Sequence, residues 1–143
     1  MISPILCVED DAEQRTLIQA ILDHFGFHVR TTENAHQALE LILDSDFQLA
    51  LLDYDLPDMT GAQLAQEIRA ITPEMRIIVL SGRVDLPAGE LTYVDAHVAK
   101  GSPISELMET ICSLLPQYRK HVPLLGLMRT QMLRTDNGRC RTQ

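Results

Sequence analysis

Five side chains in this 143-residue chain could act together: the acidic pair Glu9-Asp10, the carboxylate of Asp53, the hydroxyl of Ser81 and the ammonium of Lys100. Each lies at the end of a short apolar run: Ile5 to Val8, Phe47 to Leu52, Arg76 to Ser81 and Ala96 to Lys100. Such runs, bounded by turn residues, suit strands buried on both faces of a parallel sheet. Ligands bind just beyond the carboxyl ends of strands in such sheets, so the five groups can converge on one edge. Crowded carboxylates repel, by about 4 kcal/mol for two charges about 4 Å apart at an effective dielectric of about 20. A hard divalent cation relieves that repulsion, and Mg²⁺ takes a few carboxylates while keeping several waters. A hydroxyl and an ammonium beside such a cation suit the oxygens of a phosphoryl group. Taken singly, each residue has a plainer reading: Asp53 and Ser81 as turn residues, Lys100 as a solvated strand end.

The elements needed to position these groups are legible. Asp11 can cap a helix whose apolar face is Leu17, Ile18, Ile21, Leu22 and Phe25, and Gly26 stops it. A more mixed strand, Phe27 to Thr31, follows, then a helix opened by Asn34 with Gln37. After Asp53 comes a Pro57-marked loop, with Thr60 and Gln63 as a capping box for a third helix that closes before Pro73. The connection from Gly82 to Asp95 is the least helical, and Pro87 and Gly89 leave room for two turns at most. Ser102 as cap and Pro103 in the first turn open a last helix through Leu115. Strands alternating with helices at this spacing predict a three-layer α/β/α sandwich around a five-stranded parallel sheet.

With 45% hydrophobic and 22% charged residues, the composition is that of a globular domain. No apolar run reaches the roughly 18 residues that span a bilayer. The N-terminus has no basic start followed by a long apolar stretch, and Cys7, Cys112 and Cys140 are unclustered. A reducing, cytoplasmic location is expected, with neither a disulfide framework nor a zinc site. His24 and His28 have metal-ligand spacing only on a continuous helix, which Gly26 interrupts. The net charge of −8 conceals an asymmetry: residues 1–115 hold 6 basic and 19 acidic residues, residues 116–143 hold 6 and 1. An acidic body argues against nucleic-acid binding by that body.

The acidic pair after the first strand, the Asp53-x-x-Leu-Pro-x-Met-x-Gly61 loop, Ser81 and Lys100 together resemble the receiver domain of two-component response regulators. The resemblance covers residues 4 to about 116, and it implies the flavodoxin-like strand order 2-1-3-4-5. It makes residues 1–116 a receiver domain and 117–143 a basic C-terminal extension. It further implies that Asp53 is the phosphoacceptor for a sensor histidine kinase or histidine phosphotransfer protein. Asp10 and Asp53 would ligate Mg²⁺ with the backbone carbonyl of Asp55, and Glu9 would act through water. Ser81 and Lys100 would bind phosphoryl oxygens, and Ser81 would pass the signal onward. The expected product is a signalling domain, not an enzyme, that switches protein–protein interactions, with homodimerisation left open.

Several residues depart from the family pattern. Gly101 stands where proline usually follows the lysine in a cis peptide, so the loop is either strained or rebuilt. His97 occupies the position of the family's switch aromatic, and Tyr93 is out of register. The segment from Ser81 to Lys100 is short, which shrinks the fourth helix. Asp55 and Arg83, each two residues past a key position, either pair across the site mouth or stand apart in solvent. In the extension, Leu124, Leu125, Met128 and Met132 fall on one helical face, and Thr135 to Gln143 read as disordered. Some thirty residues cannot hold a helix-turn-helix with its own core. Two other functions compete: a phosphorylation-independent pseudo-receiver adaptor, and a haloacid-dehalogenase-like phosphatase using Asp53-Tyr54-Asp55. The motif order counts against the phosphatase, because that family places its nucleophile on the first strand.

Overall fold

The structure, a computed structural model, describes residues 4–83 and 85–121. The expected helical face in the extension and the disordered end lie outside the described residues. Five strands, β1 (Ile5–Val8), β2 (Val29–Thr32), β3 (Leu49–Asp53), β4 (Arg76–Ser81) and β5 (Ala96–Ala99), form one parallel sheet in the order β2-β1-β3-β4-β5. Helices α1 (Ala12–His24), α2 (Ala35–Asp44) and α3 (Gly61–Ile71) make the first three crossovers, and α4 (Ile104–Leu114) follows β5. This is the expected flavodoxin-like α/β fold. The chain divides into two compact units, one ending at Gly101 and one beginning at Ser102. No described helix is long and apolar enough to cross a membrane.

In the first unit the pleat sorts side chains by face. Leu6, Val8, Ala50, Leu52, Ile77 and Val79 join one buried cluster with Ala35, Ala38 and Ile42 of α2 and Leu64, Ala65 and Ile68 of α3. The alternate residues Ile5, Cys7, Leu49, Leu51 and Ile78 are buried as well, so β1 and β3 read as continuous apolar runs. Burying such a Leu or Ile side chain stabilises the fold by about 1.5–3 kcal/mol.

Caps set where the helices start. Asp11 accepts from the Gln14 N–H at 3.0 Å, and Asn34 accepts from the Gln37 N–H at 2.9 Å. The Gln37 amide reaches back to the Glu33 N–H rather than to Asn34, so α2 has no closed box. Thr60 and Gln63 do form the reciprocal box. Gly61 is required there, because a Cβ would lie 2.5 Å from the Asp53 carbonyl oxygen. Its N–H donates to the Tyr54 carbonyl at 2.8 Å, which seats α3 directly on the end of β3.

The fourth crossover is short, as expected: a single 3-10 turn, Ala88–Leu91, within the two turns allowed. Its place is held by Arg69 of α3, which donates to the Tyr93 carbonyl and, at 2.6 Å, to Asp95. Ser102 does not cap α4: Pro103 is the N-cap residue and has no side-chain acceptor, and the Glu106 N–H donates to the Pro103 carbonyl instead. In the second unit α4 buries Met108, Ile111 and Cys112, and a 3-10 turn, Pro116–His121, buries Tyr118. This turn spans the position of the expected boundary after residue 116.

Candidate functional site

At the carboxyl edge of the sheet, β1 delivers Glu9 and Asp10, β3 Asp53, β4 Ser81 and β5 Lys100. Glu9 is 1% exposed, Asp53 4% and Ser81 0%, whereas Asp10 faces solvent. Carboxylate oxygens of Glu9, Asp10 and Asp53 lie within 4.8 Å of one another. The Lys100 ammonium is 2.8 Å from Asp53 Oδ1 and 3.2 Å from Glu9 Oε2. Glu9, Asp10, Asp53 and Lys100 thus lie together, and Ser81 ends the strand beside them, its carbonyl accepting from the Lys100 N–H.

Burial sets the electrostatics. Desolvation, then the neighbouring Asp53 charge, pushes the Glu9 carboxyl above its ordinary range against the pull of Lys100. Asp53 is likewise raised by burial, with Lys100 and the Asp55 N–H opposing. Burial would lower Lys100, but its bonds and charge pairing with Asp53 and Glu9 win and raise it. Lys100 therefore stays an ammonium. The Cys7 thiol nearby is pushed up to about 12, by burial first and by Glu9 second, and is no nucleophile.

The donor set fits a hard divalent cation. Glu9 Oε2 is buried without a hydrogen-bond partner, Lys100 being close but out of alignment. A buried carboxylate oxygen facing only the Lys100 ammonium, beside two further carboxylates, is a donor set that suits Mg²⁺.

The loops around the site are tied down. The Tyr54 N–H donates to the Leu80 carbonyl and the Lys100 N–H to the Ser81 carbonyl, at 2.9 and 2.8 Å. Asp58, in the loop after Asp53, accepts from the Ala35 and His36 N–H groups at the start of α2. Those bonds outweigh its desolvation and hold its carboxyl below the ordinary range. The Lys100–Gly101 peptide is trans, and Gly101 takes φ +88°, a left-handed conformation that glycine adopts without strain. The loop is rebuilt, and Lys100 still reaches Asp53.

At the mouth, Arg83 pairs with Asp55 at 3.2 Å while both side chains remain largely exposed. The Arg83 N–H donates to Ser81 Oγ at 2.9 Å, and its guanidinium lies 5.5 Å from the centre of the Tyr54 ring. The Tyr54 hydroxyl donates to Glu90 in the 3-10 turn, and this bond is the main cause of its raised pKa. His97 aligns with Val79, on the sheet face covered by α2 and α3, and its Nε2 is buried without a hydrogen-bond partner. It makes no polar contact with the five site groups.

Sequence reasoning missed three supporting residues. Gln14 Oε1 accepts from the Lys100 ammonium at 2.9 Å, Arg15 donates to the Glu9 carbonyl at 2.9 Å, and Glu90 holds Tyr54. Gln14 and Arg15 stand just after the Asp11 cap, near the acidic pair, but their partners, like that of Glu90, are set only by the folded chain.

A sequence profile described as the response regulator receiver domain matches residues 5–111. The chain belongs to this family. Cell cycle transcriptional regulator CtrA of Caulobacter vibrioides is 28% identical over 120 residues, 82% of this chain and 52% of that protein. Transcriptional regulatory protein ZraR of Escherichia coli is 32% identical over 77 residues, 54% of this chain and 18% of that protein. The receiver chain thus spans about half the length of CtrA and less of ZraR. Among solved structures, response regulator TrrA of Thermotoga maritima in complex with Mg²⁺-BeF superposes with TM-score 0.73 at 30% identity. That alignment covers 80% of this chain and 100% of TrrA. A CheY-like receiver of Methanospirillum hungatei gives 0.75 at 28%, covering 84% and 98%. TrrA is also known in complex with histidine kinase ThkA, at TM-score 0.73 and 28% identity, covering 80% and 99%.

Proposed function

We propose that this receiver takes a phosphoryl group from a histidine kinase or histidine phosphotransfer protein onto Asp53 and thereby switches its protein partners. The observation that carries this reading is the Lys100 ammonium 2.8 Å from a buried Asp53 and 3.2 Å from a buried Glu9. An Asp53 carboxylate oxygen attacks the phosphorus, an O–P bond forms, and the donor's N–P bond breaks with its electron pair leaving on the imidazole nitrogen. Phosphoryl transfer is mostly positioning and charge neutralisation, and a carboxylate is a competent nucleophile. Lys100 turns to the phosphoryl oxygens, and Ser81 Oγ leaves the Arg83 N–H to meet them. Asp10, Asp53 and the Asp55 carbonyl, with Glu9 beside them, would hold Mg²⁺, which would neutralise charge on the transferring group. The phosphoryl adds roughly −1.5 to −2 charges at one point, and Arg83, exposed at the mouth, is a nearby cation able to respond. A cytoplasmic location suits a kinase partner of this kind. That the related proteins are transcriptional regulators makes gene control a further reading of any longer protein that carries this domain.

His97 at the switch position and the single turn of the fourth crossover favour a second reading, an adaptor that no longer uses phosphate. Intact-mass analysis after incubation with Mg²⁺ and phosphoramidate separates the two. One added phosphoryl group, absent in Asp53→Asn, is expected. An unmodified, folded protein would favour the adaptor.

A further inference from the structure

Lys100 must do two things at once. Its ammonium pairs with Asp53 Oδ1 at rest, and it must release that oxygen to attack while staying in reach of the incoming phosphoryl group. Its backbone is tied to the Ser81 carbonyl at 2.8 Å, but its ammonium ends a flexible four-carbon stem that the backbone does not aim. Of its three close acceptors, two are the carboxylates of Asp53 and Glu9. The third is the neutral amide oxygen of Gln14, at 2.9 Å. The Gln14 backbone is held, because its N–H donates to the Asp11 cap at 3.0 Å in the first turn of α1, and that places its side chain beside Lys100.

We infer that Gln14 is a positioning residue for phosphotransfer, holding the Lys100 ammonium over the site while Asp53 is released to attack. The inference rests on the phosphoacceptor reading above. A neutral acceptor suits this role because it restrains the ammonium without cancelling the charge that the phosphoryl oxygens need. When the O–P bond forms and the donor's P–N bond breaks, the leaving nitrogen takes the electron pair and a proton from solvent. Lys100 exchanges its Asp53 partner for a phosphoryl oxygen, and its bond to Gln14 persists through both arrangements.

Gln14→Met tests this, since it keeps side-chain length and helix preference and removes the acceptor at an exposed position. At saturating Mg²⁺ the maximal rate of phosphorylation by phosphoramidate is expected to fall about 3–10-fold, the value of one ordinary hydrogen bond at a solvent-exposed position. Half-saturation by the donor should not move. The chain has only two lysines, Lys100 and Lys120, so lysine labelled with ¹³C at Cε reports Lys100 directly. In the unphosphorylated variant the Lys100 Cε order parameter is expected to drop while that of Lys120 stays. A wild-type rate in Gln14→Met, or a slowed rate with Lys100 as ordered as before, overturns the inference. Failure of the wild-type protein to be phosphorylated would instead sink the phosphoacceptor reading on which it depends.

Discussion

Asp53 is a buried carboxylate that the fold keeps ionisable at a cost. Burial raises its pKa in the folded state above the ordinary 3.8, and Lys100 offsets only part of the penalty. A group raised on folding contributes stability below its unfolded pKa and loses it as pH climbs through the folded value. Asp53→Asn, which cannot ionise, escapes that loss. In Mg²⁺-free buffer the variant should therefore melt above the wild-type protein at pH 7, and the gap should close as pH falls toward about 4. Millimolar Mg²⁺ should narrow the gap by binding the wild-type acid cluster. Thermal melts of both proteins across pH, with and without the ion, check this; a variant less stable than wild type in Mg²⁺-free buffer at pH 7 would contradict it. The five residues of the proposed site stood out in the sequence because each sits where an apolar run ends. Gln14 was not, because only the folded chain brings it to Lys100, 86 positions away.

At the scale of elements, the weak point is the fourth crossover. One 3-10 turn replaces a helix, and its position is held by side chains rather than by a buried helical face. Arg69 donates to the carbonyls of Pro73, Met75 and Tyr93 and pairs with Asp95, which also accepts from the Ile77 N–H at 2.8 Å. Arg69→Ala strips four acceptors at once in a half-buried setting. It should cost about 2–4 kcal/mol, lowering Tm by roughly 5–12 °C for a chain of this size. Calorimetry checks the size of the loss; a shift under about 2 °C would show that the turn holds without Arg69. The sequence foretold that this segment would be short, from Pro87, Gly89 and the residue count. It was silent on Arg69, because an arginine on an amphipathic helix reads as a solvated charge until its partners are in place. The Ser102 cap failed for a local reason: helix α4 begins one residue later than the Ser102-Pro103 pair suggested.

For the molecule as a whole, topology does most of the work. Parallel strands bring every carboxyl end to one edge, so the residues of the proposed site, spread from Glu9 to Lys100, come to that edge without any long-range motif. That is why strand order and site were readable together, while details of aim, such as the Lys100–Gly101 peptide, needed coordinates. The family's usual proline is absent, yet the ammonium arrives within 2.8 Å of Asp53. The central claim is chemical: an acyl phosphate forms at residue 53. Acyl phosphates are reduced by borohydride to the corresponding alcohol, so phosphorylated Asp53 becomes homoserine. Peptide mapping after Mg²⁺, phosphoramidate and borohydride should find homoserine at position 53 and aspartate at positions 10 and 55. Aspartate persisting at 53, or homoserine at another acidic position, would contradict the claim.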